Sequence, residues 1–284
     1  MRVLSFERDG LPSFGLMIDG GIIDAGARLT EEFADLRAVL RAGALDRLRA
    51  FEKLEPDFAE DDITYLAVVP NANKILCVGI NYMGHIKETG REIPNHPVLF
   101  TRFADSMVGH GQPLIRPRVS EHFDYEGELA VIIGKTARHV SRDDAMRYVA
   151  GYSCCNEGSV RDYQYHSIQF TAGKNFYRSG GFGPWLVTSD EQSDPAQFHL
   201  QTRLNGRVLQ DTPVSDLCFD IPRLIEYCSI WTPLEPGDVL VTGTPGGVGR
   251  VRKPPIWMKP GDIVEVDIRG VGVLRNNVVD EDPA

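Results

Sequence analysis

The run Asp124-Tyr125-Glu126-Gly127-Glu128 sets two carboxylates two residues apart at the mouth of the apolar segment Leu129-Ala130-Val131-Ile132-Ile133. In an extended strand, side chains at i and i+2 share a face, so Glu126 and Glu128 project side by side. Like charges at that range raise one another's pKa unless a cation or a proton lies between them. A hard divalent metal is the economical explanation. A solvated acidic strand edge is the alternative, and for an isolated Glu-x-Glu it is the commoner one. Glu157, in Cys154-Cys155-Asn156-Glu157-Gly158, follows a strand-like segment at 149–153 and offers a third carboxylate. Three carboxylates completed by water suit Mg2+, Mn2+ or Ca2+ rather than zinc. Glycosidase chemistry also needs two acids, but on opposite sides of a bond and roughly 5 Å or more apart, which one strand face does not supply.

Three further groups have side chains fit for catalysis or binding. His85-Ile86-Lys87-Glu88 follows the strand-like Ile75-Leu76-Cys77-Val78-Gly79 and ends at Gly90, a helix C-cap residue. Within one helical turn Glu88 faces His85 and can hold its imidazole as a general base; an exposed His/Glu pair on a surface turn is the plainer reading. Lys174, in a loop rich in glycine and aromatic residues, can stabilise an enolate or carboxylate oxygen, though most loop lysines are simply solvated. Val241-Thr242-Gly243-Thr244-Pro245-Gly246-Gly247-Val248-Gly249 lacks the Lys-Ser/Thr ending of a P-loop and the third glycine of a dinucleotide fingerprint. It reads as a tight turn able to bring backbone amides and Thr244 to a substrate oxygen.

These groups need a scaffold. Short apolar runs broken by Asp9-Gly10 and Asp19-Gly20-Gly21 predict hairpins up to about residue 25, followed by helical periodicity at 29–54. The turn-forming Val69-Pro70-Asn71-Ala72-Asn73 divides a small N-terminal α+β domain, 1–70, from a larger one, 71–284. Strand-like segments at 74–78, 97–101, 128–133, 184–188, 200–204, 239–242 and 263–268 outnumber the helical patterns at 142–149, behind Ser141, and 220–229. Frequent Gly and Pro turns between them predict a mainly β, curled or barrel-like α+β domain.

Net charge of -10 argues against a nucleic-acid surface. Five cysteines without a CxxC pair argue against structural zinc and a disulfide framework. With neither a signal-peptide h-region nor an apolar run of about 18 residues, a reducing, cytoplasmic protein without membrane association is expected.

In their order along the chain these pieces resemble the fumarylacetoacetate hydrolase superfamily. The matching text is 74–82 with His85 and Glu88, Tyr125-Glu126-Gly127-Glu128 and the strand after it, and Asn156-Glu157 with Ser159-Val160-Arg161-Asp162-Tyr163-Gln164. It continues with Gly173-Lys174, Gly183-Pro184-Trp185, Asn205-Gly206, Gln210, Thr212, Pro236-Gly237-Asp238, the 242–249 turn and Pro260-Gly261-Asp262. The resemblance implies a mixed β-roll catalytic domain, a homodimer, and Mg2+, Mn2+ or Ca2+ held by Glu126, Glu128 and Glu157. It implies a small 2-oxo or β-diketo acid substrate whose carboxylate and 2-oxo oxygens meet the metal. His85, oriented by Glu88, would activate water, Lys174 would stabilise the enolate, and Arg161, Gln164, Thr244 and Tyr82 would contact substrate.

The resulting expectation is a hydrolase cleaving a carbon-carbon bond in an acylpyruvate-type acid, as in aromatic catabolism. An isomerase or decarboxylase on the same site is the alternative, and a non-catalytic metal-stabilised binding module a remoter one. Three positions depart from the family pattern: Glu157 stands where Asp is usual, Arg102 where Lys is usual, and the common Asp after the lysine is missing from Asn175-Phe176-Tyr177-Arg178.

Overall fold

The computed structural model of the chain describes residues 1–90 and 92–282. The two N-terminal turns do what their residues predict. Strands Arg2–Arg8, Leu11–Ile18 and Gly21–Asp24 pair antiparallel around them, with Asp9, Gly10 and Gly20 at positive φ. The helical periodicity of 29–54 is real but broken. Asp35 caps Leu36–Arg41 by accepting the Ala38 N–H at 2.7 Å. Gly43, at φ 63, then turns the chain before Leu45–Leu48, and a 3-10 turn follows. Leu36, Val39, Leu40 and Leu48 are all buried, so the apolar spacing reflects packing even where the helix does not run on.

Strand Gly127–Ile133 is buried at every residue, as its unbroken apolar run dictates. It pairs antiparallel with Val149–Asn156 and with Val239–Val241, which in turn runs parallel to Ile75–Gly79. Gly127 lies opposite Asn156, Ala130 opposite Val241, and Val241 beside Cys77. The start of one strand and the C-terminal ends of three others therefore meet at one edge, and every chemical group singled out above lies in or beside the segments leaving it. These strands belong to an 11-stranded mixed sheet among the described residues. Arg2–Arg8 joins it by pairing with Gly180–Thr188.

A five-stranded sheet covers the main one and contains His199–Leu204, Ile263–Ile268 and two strands the sequence reading did not mark, Arg207–Pro213 and Gly272–Asp280. Tyr152, Val187, Leu200, Val266, Ile268 and Leu274 fill the space between the sheets. Helix Ile221–Trp231, capped by Asp220, adds Leu224, Ile225 and Cys228 to the same core. Ser141 caps Arg142–Tyr148 as expected, but that segment is a 3-10 helix. The architecture is mainly β with both parallel and antiparallel pairing, the α+β class expected. All five cysteines are free thiols. Among the described residues no helix is long and apolar enough to cross a membrane.

Candidate metal centre

Glu126 precedes Gly127–Ile133, Glu128 stands on it, and Glu157 follows Val149–Asn156, so pairing of the two strands brings all three carboxylates together. One oxygen from each lies within 4.8 Å of the others, and all three side chains are buried. The longer arm of Glu157 thus reaches the group. Its Oε2 accepts a 2.7 Å hydrogen bond from Lys174, while its Oε1 is buried with no hydrogen-bond partner among the described residues. Glu128 Oε2 accepts the Gly243 N–H at 2.6 Å. Gly243 has φ 106, and a Cβ there would sit 2.8 Å from both Asn81 Cβ and Val78 O, so only glycine makes this turn.

Two buried cations answer the carboxylates. Lys174 Nζ donates at 2.7 Å to Glu126 as well as to Glu157. Arg161 contacts Glu126 at 2.6 Å, donates to Asp124 at 2.8 Å and to Gln164 at 2.8 Å, and keeps a buried Nη2 without a partner among the described residues. Asp124, which the sequence reading passed over, is fully buried and also accepts the Gly249 and Arg250 N–H groups. Its only sequence signal was its place at the head of the acidic run.

Glu128 has no cation within ion-pair distance among the described residues. Burial, with Glu157 and Glu126 alongside, pushes its carboxyl well above the ordinary range. Burial would also raise Glu126, but Lys174 and Arg161 outweigh it and hold that carboxyl low. Lys174 is raised in turn: burial opposes its charge, and Glu126 and Glu157 restore it. Anionic oxygens in excess, one of them orphaned, make a donor set that fits a hard divalent ion such as Mg2+ or Mn2+. Glu126, Glu128 and Glu157 would hold it.

These groups floor a cavity of about 60 Å³ whose lining includes His85, Arg161, Gln164, Lys174 and Thr244. Phe100, Phe170, Tyr165, Val248, Ile80 and Arg250, none of them given a role from sequence, complete much of the wall. Ile80 has φ 58, a strained conformation for a β-branched residue and one that often marks a functional wall. His85 lies on helix Met83–Thr89, with Nδ1 3.4 Å from Glu88 Oε2. Burial lowers its pKa against the raising effect of Glu126 and Glu88. Glu88 does not line the cavity. It also accepts the Gly247 N–H at 3.2 Å, tying the His85 helix to the 242–249 turn.

Of the other expected substrate contacts, Tyr82 lies off the cavity wall and Thr244 lies on it. Tyr82 is fully buried and absent from the cavity wall, because the β-bridge to Leu217 turns this segment into the core. Thr244 lines the cavity, yet its hydroxyl donates to Gly127 O at 3.0 Å and accepts from Gln210 at 2.8 Å. Arg102, at the position where the family usually has Lys, is buried outside the wall and donates to Gly158 O and Ser179 Oγ.

The chain matches the Fumarylacetoacetate (FAA) hydrolase C-terminal family model over residues 74–279. It is 40% identical to the mitochondrial oxaloacetate tautomerase FAHD2A of Homo sapiens over 292 residues, covering 98% of this chain and 92% of that protein. The structure of a putative HpcE protein from Mycobacterium smegmatis superposes with TM-score 0.87 at 32% identity, over 99% of this chain and 100% of that one. Maleylpyruvate hydrolase from Sphingobium sp. SYK-6, solved with manganese(II) and pyruvate, superposes with TM-score 0.83 at 28% identity, with the same coverage.

Proposed function

The chain belongs to the fumarylacetoacetate hydrolase family, and from that premise we propose that it interconverts the keto and enol forms of a small 2-oxo dicarboxylic acid with the help of Mg2+ or Mn2+. The observation that carries this reading is the cavity. Its wall sets one base, His85, and two cationic donors, Lys174 and Arg161, over the three carboxylates, the groups that removing a proton beside a carbonyl and stabilising the resulting oxyanion require. Relatives matched over nearly their whole length and named oxaloacetate tautomerases support the same substrate class.

A bound divalent ion supplies Lewis-acid polarisation of the substrate's 2-oxo group. The rest is work for side chains. His85, neutral because burial lowers its pKa, has a lone pair on Nε2 when Nδ1–H faces Glu88. That nitrogen takes a proton from C3 as the C2–C3 double bond forms and the carbonyl pair moves to the 2-oxygen, and the imidazolium then gives a proton to that oxygen, yielding the enol and neutral His85. Lys174 uses two of its three N–H groups on Glu126 and Glu157, leaving one for the developing oxyanion. The unpartnered Nη2 of Arg161 offers a second donor.

Hydrolysis of an acylpyruvate is the second reading, favoured by the His85/Glu88 dyad, which suits activation of water as well as of carbon acids. Proton NMR of the Mg2+- or Mn2+-loaded protein with a panel of 2-oxo acids separates the two. Accelerated keto–enol exchange with one organic product supports the tautomerase; two organic acids from an acylpyruvate support the hydrolase. Undiminished turnover in excess chelator sinks both, and stabilisation by Mg2+ without turnover of any 2-oxo acid indicates a binding module. The reading includes a cytoplasmic homodimer, which sedimentation analysis tests.

A further inference from the structure

We propose that Arg250 is the residue that selects a dicarboxylate, by receiving the carboxylate at the end of the substrate away from the metal centre. This deepens the functional reading above and rests on it for the orientation of the substrate. Of the lining side chains that carry a positive charge, Lys174 is matched by Glu126 and Glu157, and Arg161 by Asp124 and Glu126. Arg250 has no carboxylate within ion-pair distance of its guanidinium among the described residues.

Its position fits the role. Beyond the cavity lies an open groove, and Arg161, Tyr165 and Arg250 are the residues that line both. Arg250 Cζ lies 4.7 Å from the centre of the Tyr165 ring, a cation–π contact that holds the guanidinium at the junction. Its backbone N–H donates to Asp124 at 3.1 Å, so the residue that fixes Arg161 fixes the base of Arg250 as well. A 2-oxo diacid with its first carboxylate over the floor would place its second near this junction. An arginine there can meet it with two parallel N–H groups. Glu88, on the rim of the same groove, is engaged by Gly247 and His85 and leaves the arginine to the ligand.

The test uses two inert four-carbon 2-hydroxy acids, malate and 2-hydroxybutyrate, which share a chelating head and differ in having a carboxylate or a methyl at the far end. Calorimetry on the Mg2+-loaded protein should show malate bound at least tenfold more tightly, consistent with a charge-assisted hydrogen bond. In Arg250→Gln the ratio should fall towards one, and in Arg250→Lys to an intermediate value. A preference that survives in Arg250→Gln overturns the proposal, as does a wild-type protein that binds the two equally or binds neither. An Arg250-dependent preference in a protein that tautomerises no 2-oxo diacid leaves this assignment standing and removes the functional reading instead.

Discussion

Lys174 Nζ donates to Glu157 Oε2 at 2.7 Å while the other oxygen of that carboxylate is buried without a hydrogen-bond partner among the described residues. One carboxylate thus faces both a fixed internal cation and the place where a metal would sit. The lysine and a bound ion would share the task of neutralising the same acids.

Replacing Lys174 by Met leaves Glu126 and Glu157 buried without their ammonium. Removing one partner of a buried pair costs about 3–5 kcal/mol, so the metal-free variant should unfold at markedly lower denaturant than wild type. Mg2+ should stabilise the variant more than the wild type, because the ion supplies charge the lysine no longer does. Equal stabilisation of both proteins would contradict the shared role.

The pH dependence of metal binding should follow Glu128. Its folded pKa lies above the ordinary 4.5, so its contribution to stability is full below about 4.5 and is lost as pH rises through the folded value. Glu126, held low, contributes in the opposite sense, above 4.5, and its contribution is lost on acidification. Metal requires the ionised form of Glu128, so affinity should rise with pH, and uptake should release protons at pH values where Glu128 is still protonated. Calorimetry over a pH series in buffers of different ionisation enthalpy counts those protons, and a count of zero at every pH would be the wrong answer. Glu128→Gln and Glu126→Gln should each lose metal binding and turnover together.

With a lowered pKa, His85 is in its basic form at neutral pH, and at saturating metal its protonation reduces activity as pH drops through a value below 6.5. His85→Ala should slow turnover about 10²–10⁴-fold and leave metal affinity unchanged. Glu88→Gln removes a raising influence, so the acid limb of kcat/KM should move to still lower pH, with activity down about tenfold. A limb that stays in place in Glu88→Gln would separate the two residues functionally.

Arg102 holds Gly158 O at 2.9 Å and Ser179 Oγ at 2.8 Å, and Gly158 directly follows Glu157. Lysine cannot reproduce that fork. Arg102→Lys should lower stability by about 1–3 kcal/mol, seen as a lower urea midpoint at unchanged slope, and weaken metal binding through the displaced Glu157 segment. Unchanged metal affinity would show the clamp to be structural alone.

The chemical groups were legible because their spacing has a physical meaning. The spacing of Glu126 and Glu128 predicts that their carboxylates point the same way, and the apolar run after them could only be a buried central strand. Strands 207–213 and 272–280 were not legible. Their exposed faces carry polar residues that read equally well as loop, and only pairing with neighbouring strands gives them their form. Tyr82 looked like a pocket residue beside Asn81 and His85, but the bridge to Leu217 turns it into the core.

The sequence by itself determined the mainly β class and the acids, the base and the lysine available for chemistry, because residue type and local period are properties of short segments. Tertiary structure decided what each charge is bonded to. Asp124 pairs with Arg161 across 37 residues, Lys174 with Glu126 across 48, and Gly243 with Glu128 across 115. Among the described residues, Arg250 is left without a carboxylate partner only once those pairs have formed. Electrostatic environment depends on distances between segments that no local pattern records, and in a buried site it fixes which carboxylate is ionised and which cation remains for the substrate.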